Sequence, residues 1–319
     1  MKLNKFLYLG ALSAGLLATS CEDFLDRAPI TSITPEQYFK QDTELAAYTL
    51  NYYSSVLKSP VGGFNAGAIN WDDETDNMVV GDGSTDYYNH QWLVGSGQAL
   101  SFTNIRAINY FLQQAEAKNQ EGKIAGDPAK VKHYIGEGYF MRASLHFDKL
   151  QTYGDFPYVD QVYVDDMAIL QEASKRLPRN EVARKIIADL EKAEGMLLSG
   201  TAFNKNRIGK ELATLMKARV ALYEATFLKY HKGTPRVPGE AGWPGAAMAY
   251  NSGKTFNIDG EISYFLDVAM KASKEIADAT TLAENSGVLQ PERHKYTGWN
   301  EYFEMFSMPD PAPLSEVIL

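Results

Sequence analysis

Hydrophobic residues recur through the middle of the chain at the spacing of α-helices. Residues 105–117 place apolar side chains on one face, whereas residues 130–152 carry them on more than one side. The first pattern predicts a helix with one buried face, and the second predicts a long helix that is covered on several sides. The predicted core positions are Ile105, Ile108, Phe111, Leu112 and Ala115, followed by Tyr139, Phe140, Ala143, Phe147 and Leu150.

Four polar residues interrupt the long apolar segment at 130–152. They are Glu137, Arg142, His146 and Asp148. Because buried charges need partners, we expect internal hydrogen bonds and ion pairs that fix helix packing, rather than contacts with a ligand. The turn that follows, Tyr-Gly-Asp-Phe-Pro at 153–157, is interpreted as structural, since glycine permits a left-handed helix end and proline prevents the helix from resuming.

A second pair of helical patterns covers residues 182–197 and 212–227. The apolar positions of the second pattern are Leu212, Leu215, Met216, Val220, Tyr223 and Phe227. Asn180 is the predicted N-cap of the first helix, and Gly200 is its predicted end. A further helix is expected over residues 263–279. Helix hairpins in series are typical of tetratricopeptide arrays, although here inserted loops stretch any repeat.

The fold class predicted from these patterns is all-α dominated. It consists of tetratricopeptide-like helix hairpins with long irregular loops and few short strands. An earlier helix is expected over residues 43–53, and strand-like alternation is confined to residues 157–164 and 316–319.

The N-terminus carries the pattern of a secretory signal. Lys2 and Lys5 precede an apolar run at residues 6–17, and small residues at 18–20 precede Cys21. This run is too short and wrongly flanked for a stable transmembrane helix. The order resembles a bacterial lipobox with Ala18 at the usual leucine, so residues 1–20 are predicted to be removed and Cys21 to carry lipid. The alternative is a cleaved, soluble secretory protein with an incidental cysteine.

Composition narrows the range of partners. The net charge is −9, and because residues 1–20 contain two lysines and no acids, residues 21–319 carry −11. Phosphate backbones and anionic membrane surfaces would repel such a chain, so nucleic acid is not expected as a ligand. Tyrosine is abundant, with 19 residues, and its flat ring with a polar tip suits a surface that binds half-polar ligands.

The long loop at residues 59–99 is the first candidate binding region. Sugars present flat C–H faces and rings of hydroxyl groups, which aromatic rings and planar polar groups recognise. The aromatic candidates are Trp71, Tyr88 and Trp92. Long loops on a helical scaffold are where binding residues concentrate. The alternative is that these rings only hold the loop against the scaffold.

Two further loops offer aromatic residues. Residues 231–257 contain Trp243 and Tyr250, and residues 292–303 contain Tyr296 and Trp299. Local packing is the competing interpretation for each of them.

Catalytic, cofactor and metal motifs give no match. Ser252-Gly253-Lys254-Thr255 resembles the end of a P-loop but has Met248 where the first glycine is required. The five histidines lack zinc-site spacing, and the acids at 72–76 do not form an EF-hand loop. We therefore expect no metal and no cofactor. A glycoside hydrolase with paired carboxylates and a helical adaptor without a ligand remain as alternatives.

Several motifs in order resemble the SusD/RagB family of nutrient-binding lipoproteins. The longest is GEGYFMRASLHFDKLQTYGDFPYV at 136–159, and the others are CEDFLD at 21–26, PITSITPEQYFK at 29–40, IRAINYFL at 105–112, RLPRNEVARKIIADLEKA at 176–193, GKELATLMKARVALYEA at 209–225 and LSEVIL at 314–319. The last motif has Leu314-Ser315 where the family has Asn-Pro.

This resemblance implies a binding protein without catalysis. It implies an extracellular lid over a SusC-like, TonB-dependent outer-membrane transporter, to which captured oligosaccharide is delivered. Glu22 and Asp23 resemble the signal that directs some lipoproteins to the cell exterior. The resemblance also implies a helical domain at 21–230, and a loop insert with the start of a truncated C-terminal domain at 231–319.

The resemblance also assigns ligand-binding residues. The loop equivalent to residues 59–99 often contributes an acid or amide, which indicates Asp73, Asp76 and Asn77. Later loops supply stacking aromatics in relatives, which indicates Tyr296 and Trp299.

Overall fold

The computed structural model describes residues 38–57, 100–282 and 301–319 of the chain. The α-helices in these ranges are α1 (Asp42–Leu50), α2 (Tyr53–Val56), α3 (Thr103–Gln120), α4 (Pro128–Tyr153), α5 (Met167–Ala173), α6 (Arg179–Met196), α7 (Lys210–His231), α8 (Ile258–Ala279) and α9 (Glu301–Ser307). Short 3₁₀ turns lie at Gly200–Phe203, Pro244–Ala247 and Ala249–Asn251. None of the helices described is long and apolar enough to cross a membrane.

The long helices pack as a row of neighbours in chain order. Helix α3 packs against α4, α4 against α6, α6 against α7, and α7 against α8, while α1 lies against α4. Hairpins α3–α4 and α6–α7 therefore form successive layers, as the sequence pattern predicts. The helix-dominated fold class is confirmed. The domain division after residue 230 stays a prediction.

The predicted core stripes are confirmed for the helices at the centre of the row. All five predicted positions of α3 are buried, and so are the five of α4. Helix α4 is covered by α3 on one side and by α6 on another, so it buries residues around most of its circumference. This explains its apolar character on more than one side.

Helix α7 buries a different face from the one that its large residues predict. Among the predicted positions Val220 is fully buried, whereas Leu212, Met216, Tyr223 and Phe227 are only partly buried. The fully buried positions include small residues at Ala213, Ala218, Ala221 and Ala225. Because α7 lies between α6 and α8, small side chains let the helix axes approach each other, and the large side chains fill the margins.

The strand predicted over residues 157–164 is wrong. These residues are irregular in the structure, and an isolated bridge lies just before them, between Phe156 and Leu177. Side chains, rather than a partner strand, donate hydrogen bonds to the backbone carbonyl groups of this segment. Asn109 donates to the Val159 carbonyl at 2.8 Å, and Arg142 donates to the Asp160 carbonyl at 2.8 Å. The segment 316–319 is likewise not a strand.

Several helix boundaries differ from the predictions: α6 ends at Met196 rather than at Gly200, and α8 begins at Ile258 rather than at residue 263. The single helix expected over residues 43–53 is broken after Leu50, with α2 as a separate short turn. Helix α6 begins at Arg179, so Asn180 lies inside it and is not the N-cap. Gly154 ends α4 with φ of 71° and ψ of −113°, as the sequence predicts.

Candidate functional site

The principal residues proposed from the sequence lie outside the described part of the chain. This holds for the lipidation residue Cys21 and for the ligand-binding candidates Trp71, Asp73, Asp76, Asn77, Tyr88, Trp92, Tyr296 and Trp299. Their roles stay predictions. The described residues show where the first candidate loop joins the frame, and they show the second candidate region in full.

Both ends of the first loop join the frame at one place. Asn104 at the start of α3 donates from Nδ2 to Ser55 Oγ of α2 at 3.2 Å. The two described segments that flank residues 58–99 are therefore neighbours. Next to this junction, Phe102 stacks on Phe156 with 5.4 Å between ring centroids, at a mainly apolar groove of about 220 Å³ that Tyr163 also lines.

The second candidate region, residues 231–257, does not offer Trp243 as a stacking platform. The indole is only 5% exposed and packs edge-on against Phe256 at 5.1 Å. Its Nε1 donates to Asp155 Oδ2 at 2.7 Å. Trp243 therefore holds the insert against the end of α4, and the interpretation of this ring as a ligand platform is wrong.

Asp155 joins three elements through one carboxylate. Besides Trp243, it accepts a hydrogen bond at Oδ1 from the backbone N–H of Arg179, at 2.9 Å. Asp155 thus caps the N-terminus of α6 from a distant position, a role that the sequence assigned to Asn180. Burial raises the pKa of Asp155, and the hydrogen bonds from Trp243 and Arg179 oppose that rise.

Behind the cap lies a buried ion pair between Arg179 and Glu224. The guanidinium Nε and Nη2 donate to the carboxylate at 2.9–3.2 Å, and both side chains are almost fully buried. The guanidinium also stacks on Phe227, with 3.2 Å from Cζ to the ring centroid. Burial raises the pKa of Glu224, while Arg179 opposes the rise. These contacts fix Arg179 in one orientation.

An open cleft of about 440 Å³ lies between the end of α4 and the insert. Tyr153 and Tyr250 are half-buried on its walls, and Met248 is exposed there. Lys175 lies 5.6 Å from the centroid of the Tyr250 ring. The volume is within the range of small-molecule sites, roughly 300–1,000 Å³. The cleft combines aromatic rings with cationic and amide groups, which can bind a ligand that is part apolar and part polar.

The polar residues of α4 are engaged inside the frame. Arg142 makes a bidentate pair with Asp189 at 2.7 Å. Glu137 accepts hydrogen bonds from Arg207 and Thr49, both at 2.6 Å. Burial raises the pKa of Glu137, but the hydrogen bonds from His133 and Arg207 outweigh burial and lower it. The expectation of internal pairing is confirmed for these residues.

One polar residue of α4 departs from that expectation. Asp148 is exposed on the surface of α4 rather than buried.

Metal binding finds no support in the parts of the chain that the structure describes. There is no group of three His, Cys, Asp or Glu side chains within those ranges that could hold an ion.

A row of helix hairpins with an open, aromatic-lined cleft places the chain in the class of α-helical folds. Comparison with known families refines this class. A SusD-like family model, described as "Starch-binding associating with outer membrane", matches residues 23–222. The match covers more than half of the chain, and the chain belongs to the SusD-like family.

Two curated relatives come from Formosa agariphila. SusD-like protein P2 is 26% identical over 245 residues, which cover 72% of this chain and 45% of the relative. SusD-like protein P38 is 26% identical over 232 residues, which cover 68% of this chain and 41% of the relative. The matched regions thus span less than half the length of either relative.

Solved structures give similar coverage. A SusD-like protein from Bacteroides fragilis aligns with a TM-score of 0.49 and 19% identity, over 84% of this chain and 44% of that protein. A SusD homologue from Bacteroides thetaiotaomicron aligns with a TM-score of 0.46 and 15% identity, over 80% and 44% respectively.

Proposed function

We propose that this protein is a cell-surface lipoprotein that captures oligosaccharides and passes them to a SusC-like, TonB-dependent transporter in the outer membrane. The observation that carries the proposal is the family match over residues 23–222, whose description names starch binding and the outer membrane. The open cleft supports a helical frame that carries a ligand site.

The protein is proposed to bind glycans and leave them uncleaved. The acids of the described sites support this, because Asp155, Glu224 and Glu137 are all engaged by donors within the frame. A hydrolase would need one carboxyl group free to protonate the glycosidic oxygen and a second on the opposite face of the bond.

Incubation with labelled oligosaccharides tests this proposal. A glycan array with starch, xylan, mannan and host-type glycans identifies the ligand, and chromatography of the recovered glycan shows whether it is intact. Retention of intact glycan supports the proposal. Cleaved glycan would establish the hydrolase alternative, and no retention of any glycan would favour an adaptor.

The aromatic residues of the first loop are proposed to contact the glycan. Trp71→Ala or Trp92→Ala is expected to weaken binding by about 1–3 kcal/mol, the usual effect of removing an aromatic contact from an interface. Tyr230→Ala is the matched control, because Tyr230 is 75% exposed on α7 and lies outside the cleft. Full affinity in both tryptophan variants would exclude the loop as the main platform.

The lipid anchor is proposed at Cys21, with the acyl chains in the outer membrane and the protein facing the cell exterior. Two or three acyl chains hold a protein firmly, whereas a single chain is marginal. Cys21→Ala is expected to move the protein from the membrane fraction to the soluble fraction. Protease treatment of intact cells tests the outward orientation, and co-purification tests the transporter. A Cys21→Ala protein that stays in the membrane would contradict the anchor.

A further inference from the structure

The cleft beside the insert is distinguished by its charge. Among the residues that line it, three are cationic and one is anionic: Arg176, Arg179 and Arg236 against Asp155. Even when Glu224 behind Arg179 is included, the site carries a positive balance, although the whole chain carries −9. An acidic protein thus concentrates positive charge in this cleft.

Arg179 provides a fixed donor at this site. Its residue is 3% exposed, and its Nε and Nη2 are engaged by Glu224. The remaining nitrogen, Nη1, has no hydrogen-bond partner in the ranges that the structure describes. A Cβ placed on Gly154, which lines the cleft, would lie 3.7 Å from this nitrogen, so Nη1 faces the cleft wall at the end of α4. Because Glu224 engages only the other two nitrogens, Nη1 is free to donate to a ligand in the cleft.

Arg176 and Arg236 approach the cleft from opposite elements. Arg176 lies between α5 and α6, and Arg236 lies in the insert after α7. Both are exposed, and neither side chain makes a hydrogen bond or an ion pair within the described residues. Asp155 forms no ion pair with either of them within the described residues, although the charge of Arg176 helps to lower the pKa of Asp155. The two guanidinium groups are therefore available to an incoming anion.

We propose that this cleft binds an oligosaccharide through an anionic substituent, a carboxylate or a sulfate ester. Arg179 Nη1 donates to the anion from a fixed position, and Arg176 and Arg236 close on it from the two walls. Charge-assisted hydrogen bonds of this kind are shorter and stronger than neutral ones. Tyr153 and Tyr250 on the walls contact the apolar face of the sugar ring. This inference rests on the proposed function, because it specifies a class of glycan.

Calorimetric titration of the purified protein tests the inference with matched pairs of probes. Tetragalacturonate is compared with its methyl ester, which has the same rings without the charge. A sulfated galactan tetrasaccharide is compared with its desulfated form. At about 20 mM salt the charged member of one pair is expected to bind at least about ten-fold more tightly than its neutral partner, and about 300 mM salt should weaken it. The preferred pair distinguishes a carboxylate from a sulfate.

Single-residue variants locate the site. Arg176→Ala and Arg236→Ala are each expected to weaken the charged probe about five-fold, with little effect on its neutral partner. Arg219→Ala is the control, because Arg219 is an exposed arginine on α7 that does not line the cleft. It should bind like the parent protein. All three positions are on the surface, so circular dichroism is expected to show folded proteins.

The remaining outcomes separate this inference from the proposed function. Binding of neutral glycans without preference for either charged probe would overturn the anionic site and leave glycan capture intact. Charged probes that bind equally well to Arg176→Ala and Arg236→Ala would place the anion elsewhere and also overturn it. Failure to bind any glycan, charged or neutral, would overturn both.

Discussion

The buried imidazole of His146 makes folding stability depend on pH. The ring is fully buried in α4, where Nδ1 donates to the Arg142 carbonyl at 2.9 Å and Nε2 accepts from the Val159 N–H at 3.1 Å. The ring stacks on Tyr158 with 4.1 Å between centroids. Protonation would place a second N–H against the Val159 donor. Burial is the main cause that lowers the pKa of His146 to about 4 from 6.5.

The size of the effect follows from linkage. Between pH 6.5 and pH 4 the unfolded chain takes up a proton that the folded protein excludes, so stability falls as the pH falls through this window. With the pKa at about 4, the free energy of unfolding is expected to drop by about 2 kcal/mol between pH 7.5 and pH 5, and by about 3 kcal/mol in total below pH 4.

Urea denaturation at both pH values, followed by circular dichroism, measures the difference. Burial raises the pKa of Glu224 and Asp155, which contribute with the opposite sign because the folded protein holds their protons more readily. The informative quantity is therefore the difference in pH dependence between the parent protein and His146→Gln. The variant is expected to be less stable at pH 7.5 but to lack the additional loss of about 2 kcal/mol at pH 5.

Tyr158→Phe is the matched control. It removes the hydroxyl that donates to Asp189 and so lowers stability, but it keeps the imidazole. It should retain the parent's pH dependence. If His146→Gln and the parent lose the same stability between the two pH values, the imidazole is not the group responsible and the reasoning is refuted.

Three further perturbations test the contacts around the cleft and the core by urea denaturation. Asp155→Ala is expected to lower the free energy of unfolding by about 2–4 kcal/mol, because it removes the α6 cap and leaves the buried Trp243 N–H without an acceptor. If the effects of Asp155→Ala and Trp243→Phe add in the double variant, the two residues are not coupled. Arg142→Met should cost about 3–5 kcal/mol, since Asp189 would be a buried carboxylate without its ion-pair partner, and a loss below about 1 kcal/mol would argue against the pair. Gly154→Ala should cost about 1–3 kcal/mol, because its φ of 71° strains any residue with a Cβ; unchanged stability would show that the turn can relax.

Local patterns predicted the helices at the centre of the fold. The five predicted positions of α3 are all buried, because a helix with a single apolar face removes that face from water when it packs. Gly154 also ends α4 as predicted, since a positive φ selects glycine whatever surrounds it. The spacing of residues within one helix was therefore sufficient to predict its buried face and its end. The family came instead from the resemblance of several motifs in order, and the match over residues 23–222 confirms it.

The candidate site shows the limit of that reasoning. The sequence marked Trp243 as a platform by its type alone, but the neighbouring Asp155 and Phe256 bury the ring. It did not select Arg176 or Arg236, because exposed arginines in loops carry no periodic signal.

The chain by itself thus determined its helices, its class and the residue types suited to a sugar ligand. Only the tertiary structure decided which of those residues face solvent. Residues 88 positions apart, Asp155 and Trp243, share a contact that no local pattern encodes. The exposure of a side chain, its partners and the charge of a cleft depend on which distant elements come into contact. The packing of the helices in the row determines those contacts.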